Sequence, residues 1–293
     1  DVAQERIAEA VWGDHALGRP IGGTPESIRA AERDQVVAHY EHHYRPEQLV
    51  VTIAGAVDHN HVVRLVLETL ERYGWPVDQT GAPAARRSTE PVAVNPDERV
   101  RAIHRPLEQA TVVLATPGLT QTDRRRPTAA VLTTILGGGM SSRLFQEIRE
   151  QRGLAYSVYS YAGHYSDSGI FGMAAGTGPE HVDTVVRVMK DLFGQMAHEG
   201  ITEKELARTL GNLQGASSLA LENTDARMVR LGRSEIHTGE FVDRDEALRR
   251  LGEVTREDVQ ELAQQWAGQP VSAVAVGSVD DTSLGGVGSV VAG

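Results

Sequence analysis

Val51 to Asp58 reads VTIAGAVD, and 222 residues later the chain returns to that pattern at Ala273 to Asp280 as AVAVGSVD. Gly55 falls on Gly277, Val57 on Val279 and Asp58 on Asp280, while further upstream His15 falls on His237. In the first copy, Leu49 to Ala54 has the composition of a buried strand that Gly55 ends. Asp58 then stands where a helix cap belongs, and Val62, Val63, Val66 and Leu70 give that helix an apolar stripe. In the second copy the strand falls at Ser272 to Val276. RDQV at Arg33 to Val36 echoes REDV at Arg256 to Val259 once one residue of slippage is allowed. A helix–turn–helix–strand order repeated in this way predicts two homologous domains, two unrelated α/β segments being the alternative.

The copies differ in what precedes them. Residues from roughly Glu98 to Glu222 lead into the second and supply most strands of its sheet, and nothing corresponding stands between Asp1 and the first. A domain without most of its sheet has an unpaired strand edge and uncovered helix faces. The expectation is therefore that the native polypeptide extends upstream of Asp1 and that its first domain is incomplete here.

Working outward, Asp1 to Trp12 reads as a helix with Ile7, Ala8 and Val11 on one stripe. Thr24 and Pro25 open a helical pattern that continues to about Tyr40. Residues 76–97 are rich in Pro, Gly, Ala, Ser and Thr and read as a linker. Strands are predicted at Val100 to Ile103 and Thr111 to Ala115, then a helix from Asp123 to Leu136 and another from Ser142 to Arg152. Alternation predicts paired strands over 155–161 and 169–175. Two long helices follow, the second opened by the capping-box pattern of Thr202 and Glu205. The division is thus 1–75, a linker at 76–97, a second domain at 98–281 and a flexible tail at 282–293.

The densest chemistry lies in LGGGMSSRLFQEIREQRGLAYSVY, Leu136 to Tyr159. A glycine turn followed by Ser-Ser-Arg-Leu, with Arg149 and Tyr156 separated by six residues, closely resembles the C-terminal domain of pitrilysin/insulinase-family zinc peptidases, including bacterial relatives of mitochondrial processing peptidase. GDHALGRP at Gly13 to Pro20, IGGT at Ile21 to Thr24 and HYRP at His43 to Pro46 extend the resemblance over nearly the whole chain except the linker and tail. It implies an α+β fold: a half-clamshell of two domains, each a mainly antiparallel sheet with helices packed on it. It also implies that Arg149 and Tyr156 reach a bound peptide and that Gly137, Gly138 and Gly139 lie near the substrate chamber. A guanidinium offers several donors to peptide carbonyls, and a phenol can stabilise the oxyanion of a tetrahedral carbonyl. The bland alternative is that Arg149 and Arg152 complement a helix C-terminus and that Tyr156 is a half-buried strand aromatic. The three glycines also form a helix C-cap and tight turn, and they lack the lysine that a phosphate-cradling loop needs.

The family's zinc motif, His-x-x-Glu-His, does not occur. The nearest string, His39 to His43, has Ala38 where the first histidine belongs, and His59 and His61 are an equally weak pair. The resemblance thus implies Zn2+ in the parent protein but no metal ligands in this chain, which is predicted to be inactive alone. It implies a peptide or unfolded segment as substrate, and a second family subunit as a partner in a homodimer or heterodimer. The competing function is that of a non-catalytic subunit paired with a zinc-bearing one.

Composition narrows the field further. The 293 residues are 40% apolar and 24% charged, enough for packed cores. A net charge of −11 repels phosphate backbones and argues against nucleic acid as a partner. The absence of cysteine excludes disulfides and thiolate metal sites. No apolar run approaches the roughly 20 residues that span a bilayer; a cytoplasmic location is expected, with the residues upstream of Asp1 able to change it.

Overall fold

A computed structural model of the chain describes residues 2–75, 77, 83–85, 90–92 and 100–284. Most of the expected linker and residues 285–293 of the expected tail lie outside the described residues. Two compact units are present. A sheet unit takes in residues 1–21, 89–213 and 244–293, and a helical unit takes in 22–88 and 214–243.

The sheet unit holds five strands: β1 (Val100–His104), β2 (Ala110–Pro117), β3 (Ala155–His164), β4 (Gly169–Thr177) and β5 (Ser272–Gly277). Their order is β1-β5-β2-β4-β3, with β1 and β5 parallel and every other pairing antiparallel. Side chains alternate across the strands, so each strand feeds two cores. Val112 and Leu114 of β2 and Ala273 and Ala275 of β5 meet helices α5 (Arg126–Gly137), α6 (Val182–Glu199) and α10 (Arg256–Ala267). There Phe171 of β4 stacks on Trp266, with ring centroids 4.5 Å apart, and both are buried.

Val113, Ala115, Val274 and Val276 point to the other face, which α1 (Val2–Trp12) covers with Ala3, Ile7, Ala10 and Val11. Polar contacts fix the placement of α1. Trp12 Nε1 donates to Ser168 Oγ at 2.9 Å, Ser272 Oγ donates to the Ala10 carbonyl, and Arg101 pairs with Glu9 at 3.2 Å. The apolar stripe expected on this helix is therefore correct. Its partner is the sheet built from residues 100–277, whereas the sequence division had grouped it with 22–75.

The helical unit contains α2 (Pro25–Ala30), α3 (Arg33–His43), α4 (His59–Arg72) and α8 (Thr224–His237), and none of these four helices has a buried residue. The single helix expected from Pro25 to Tyr40 is broken at Ala31. There Glu32 starts a new cap, its N–H donating to Gln35 Oε1. Thr24 and Asp58 cap as expected, with Asp58 accepting from the His61 N–H at 2.7 Å.

The buried strand expected at Leu49 to Ala54 is not formed. These residues pair with no other strand among the described residues, and Leu49, Val51 and Ile53 are exposed. A lone strand has neither ladder partners nor a face to bury, so its composition cannot make it fold. At the other end, the tail expected from residue 282 begins as a helical turn, Asp281–Leu284, with Leu284 buried. The α+β class stands, with α7 (Glu203–Ala220) and α9 (Arg244–Gly252) completing the helices named here.

Candidate functional site

Helix α5 ends where its backbone meets β3. A Cβ on Gly137 would lie 2.3 Å from the Ser160 nitrogen, so only glycine allows the approach. The Gly138 N–H closes the helix on the Thr134 carbonyl at 3.0 Å. The turn that follows is held from below. The Gly139 carbonyl accepts from both the N–H and Oγ of Ser142, and the Met140 carbonyl accepts from Gln146 Nε2 at 2.6 Å.

The helix predicted over Ser142 to Arg152 is a π-helix from Phe145 to Gln151. Its wider turn shows in the Arg152 N–H bonding the Glu147 carbonyl, five residues back. It ends at Gly153, whose φ of +63° favours glycine. On this turn the two arginines separate. Arg152 is committed to Glu147, at 2.7 Å. Arg149 is exposed and its guanidinium lies over the Phe145 ring, 4.9 Å from the centroid.

Tyr156 stands at a register shift in the β3–β4 pairing, between Ala155 and Ser157. Such a bulge re-aims a side chain out of the regular alternation, and Tyr156 is 68% exposed rather than half-buried. Neither Arg149 nor Tyr156 has a hydrogen-bond or ion-pair partner among the described residues.

The base of this segment is fixed by a pair that sequence reading missed. Arg143 makes two hydrogen bonds to Glu205, at 2.8 and 3.0 Å, and another to the Gly200 carbonyl. Burial alone would raise the Glu205 carboxyl. Arg143 and the N–H and O–H of Thr202 outweigh it and hold the group at about 2. The capping box at Thr202 was legible, but the pairing of its Glu205 with Arg143, 62 residues away, was not.

Two cavities flank the glycine turn. One of about 460 Å³ is bounded by Gly139, Met140, Phe145 and Val158, and one of about 270 Å³ by Met140, Ser141, Arg208 and Asn212. Among the described residues no group of three or more His, Asp or Glu side chains comes together to hold a metal. His39 and His43 share a face of α3 with ring centroids 4.4 Å apart, but two rings without a third donor do not fit zinc.

Known proteins agree on the family. Residues 30–213 match the model of the peptidase M16 inactive domain. The chain is 44% identical to an uncharacterized zinc protease of Streptomyces coelicolor, over 96% of this chain and 61% of the relative. It is 38% identical to one of Mycobacterium tuberculosis, over 94% and 62%. The chain thus spans about three-fifths of the length of these curated relatives. Among solved structures, a peptidase M16 inactive domain from Pseudomonas fluorescens superposes with a TM-score of 0.78 at 22% identity, covering 94% of this chain and 65% of that one. A chain of complex III from Candida albicans gives 0.76 at 17% identity, covering 96% and 67%. These two likenesses concern the fold alone. With more than half of its length matched by the family model, this chain belongs to the peptidase M16 family.

Proposed function

We propose that this chain is part of a zinc-dependent endopeptidase that hydrolyses peptides or unfolded segments, and that it supplies substrate contacts rather than the metal site. Arg149 donates to carbonyls of the bound peptide, and the Tyr156 phenol donates to the scissile carbonyl as it becomes tetrahedral. The peptide lies extended, beside an open sheet edge. The observation that carries this reading is the contrast on one short segment. Arg152 is spent on Glu147, whereas Arg149 and Tyr156 stand exposed and unpaired on a π-turn and a bulge. The naming of the relatives as zinc proteases supports the hydrolytic class. Zinc donors then come from the rest of the parent. The segment 22–75 then belongs to a first domain whose sheet that remainder supplies, which fits the lack of buried residues on α3 and α4 and the exposure of Leu49, Val51 and Ile53.

The chain alone is expected to show no chelator-sensitive cleavage of a quenched peptide when zinc is supplied. In the full-length protein, Arg149→Ala and Tyr156→Phe should each lower kcat/KM by about a hundredfold, on the scale of losing one oxyanion donor, with zinc content unchanged. Wild-type turnover in both variants would return these residues to a structural role.

A second reading is a non-catalytic subunit that pairs with a zinc-bearing family member, favoured by the match to a domain described as inactive. Sequencing the parent separates the two, because His-x-x-Glu-His upstream means a peptidase.

A further inference from the structure

Strand β3 lies at one end of the sheet and carries Tyr156, Tyr159 and Tyr161. The last two are tied to helix α1 through a single amide. The Tyr161 hydroxyl donates to Gln4 Oε1 at 3.1 Å, and Gln4 Nε2 donates to the Tyr159 oxygen at 3.4 Å. The two rings stand with centroids 6.1 Å apart. In the register with β4, Tyr159 falls opposite Ala174 and Tyr161 opposite Gly172.

Tyr161 is the fixed end of this chain of bonds. A Cβ on Gly172 would lie 2.5 Å from Tyr161 Cζ, so glycine there lets the ring lie against β4. The ring also packs against the core beneath α1. Burial raises the phenol above its usual range, and it remains an O–H donor through neutral pH. With Oε1 taken by that donor, the Gln4 amide presents its N–H to Tyr159. Gln4 is itself placed by α1, which Ile7, Ala10 and Val11 anchor to the sheet. A phenol oxygen that accepts from an amide turns its own hydrogen away from that amide. Tyr159 is 41% exposed, so its O–H is presented at the surface of the strand that holds Tyr156.

We infer that Tyr159 is a second phenol donor to the bound peptide, and that Gln4 is the residue that positions it. A strand rises about 3.3 Å per residue, so Tyr159 meets an extended peptide up to about 10 Å from Tyr156, roughly three residues from the scissile carbonyl. There it donates to a main-chain carbonyl, and the bonds from Tyr161 through Gln4 polarise the donor. Such a contact fixes where the peptide lies without reading a side chain. The inference rests on the peptide-binding reading, and the test separates the two.

The full-length protein is mixed with a fluorescein-labelled, unstructured peptide. Binding is followed by stopped-flow anisotropy before turnover, and turnover is measured separately. Tyr159→Phe should weaken binding by about three- to tenfold, the scale of one hydrogen bond, with melting temperature unchanged. Gln4→Glu still accepts from Tyr161 but also accepts from Tyr159 instead of donating to it. That draws the Tyr159 O–H inwards and should weaken binding to the same extent. The losses should not add in the double variant, because both remove one donor. Wild-type affinity in Tyr159→Phe would overturn the inference. Wild-type affinity in Gln4→Glu, or additive losses in the double variant, would overturn the role of Gln4. Weakened binding in both variants of a protein that shows no turnover would overturn the peptidase reading and leave Tyr159 and Gln4 in their roles.

Discussion

The two copies of the strand–glycine–aspartate pattern have met different fates. In the second, Ala273 to Val276 lie between β1 and β2, fully or almost fully buried, and feed both cores. In the first, Val51 to Ala54 pair with no strand among the described residues, and Ile53 is 42% exposed. The local features nonetheless agree. Gly55 and Gly277 have φ of 144° and 158°. Asp58 accepts from the His61 N–H, and Asp280 likewise from the Ser283 N–H, three residues on in both cases. Caps and turns are therefore built by neighbours in sequence, and strands only by partners in space.

The largest effect should come from charging equivalent positions of the two copies. Ala275→Asp inserts a carboxylate where no surface is exposed and should cost about 4 kcal/mol or more. Ile53→Asp in the same chain should change stability by no more than about 0.5 kcal/mol. Urea unfolding of the two variants measures both, and equal costs would break the comparison. In the full-length protein Ile53→Asp should become expensive, if a sheet there covers residue 53.

A smaller effect tests whether tertiary supports account for the order of the sheet unit. Glu205→Gln removes the charge held jointly by Arg143 and by the N–H and O–H of Thr202, together worth about 2–3 kcal/mol at neutral pH from the size of the carboxyl's displacement. The folded carboxyl sits at about 2, below its ordinary 4.5. Its contribution is thus complete above about pH 4.5 and is lost as pH falls towards 2. Wild type should lose this increment on acidification and Glu205→Gln should not, as thermal melts at pH 7, 4 and 3 would reveal. An identical pH dependence in both would remove Glu205 as the cause.

The smallest effect is expected at the caps. Asp58→Ala and Asp280→Ala should each cost about 1 kcal/mol, read by denaturant midpoints. Near-equal losses would sharpen the view that capping is local, and a loss confined to Asp280 would contradict it.

The same division runs through the candidate site. Gly137 and Gly138 as a helix stop, the helix after Ser142, Gly153 as its end and the strand holding Tyr156 were all legible, because each is a short-range pattern. The π-form of the helix and the bulge at Tyr156 were not. A π-turn and a two-against-one pairing depend on how a segment is clamped by its neighbours in space, which a local pattern does not contain. The family resemblance singled out Arg149, but the contact that holds Arg152 on Glu147 was not legible for the same reason.

Sequence by itself determined the family resemblance, through its motifs, and the caps and most helices and strands of the sheet unit, since these rest on periodicity and on contacts within a few residues. Tertiary structure decided that α1 covers the sheet of residues 100–277, that Leu49 to Ala54 go unpaired, and that Gly139 borders open space. Each of these depends on which surfaces lie opposite one another, and side-chain periodicity says that a face must be covered without saying by what.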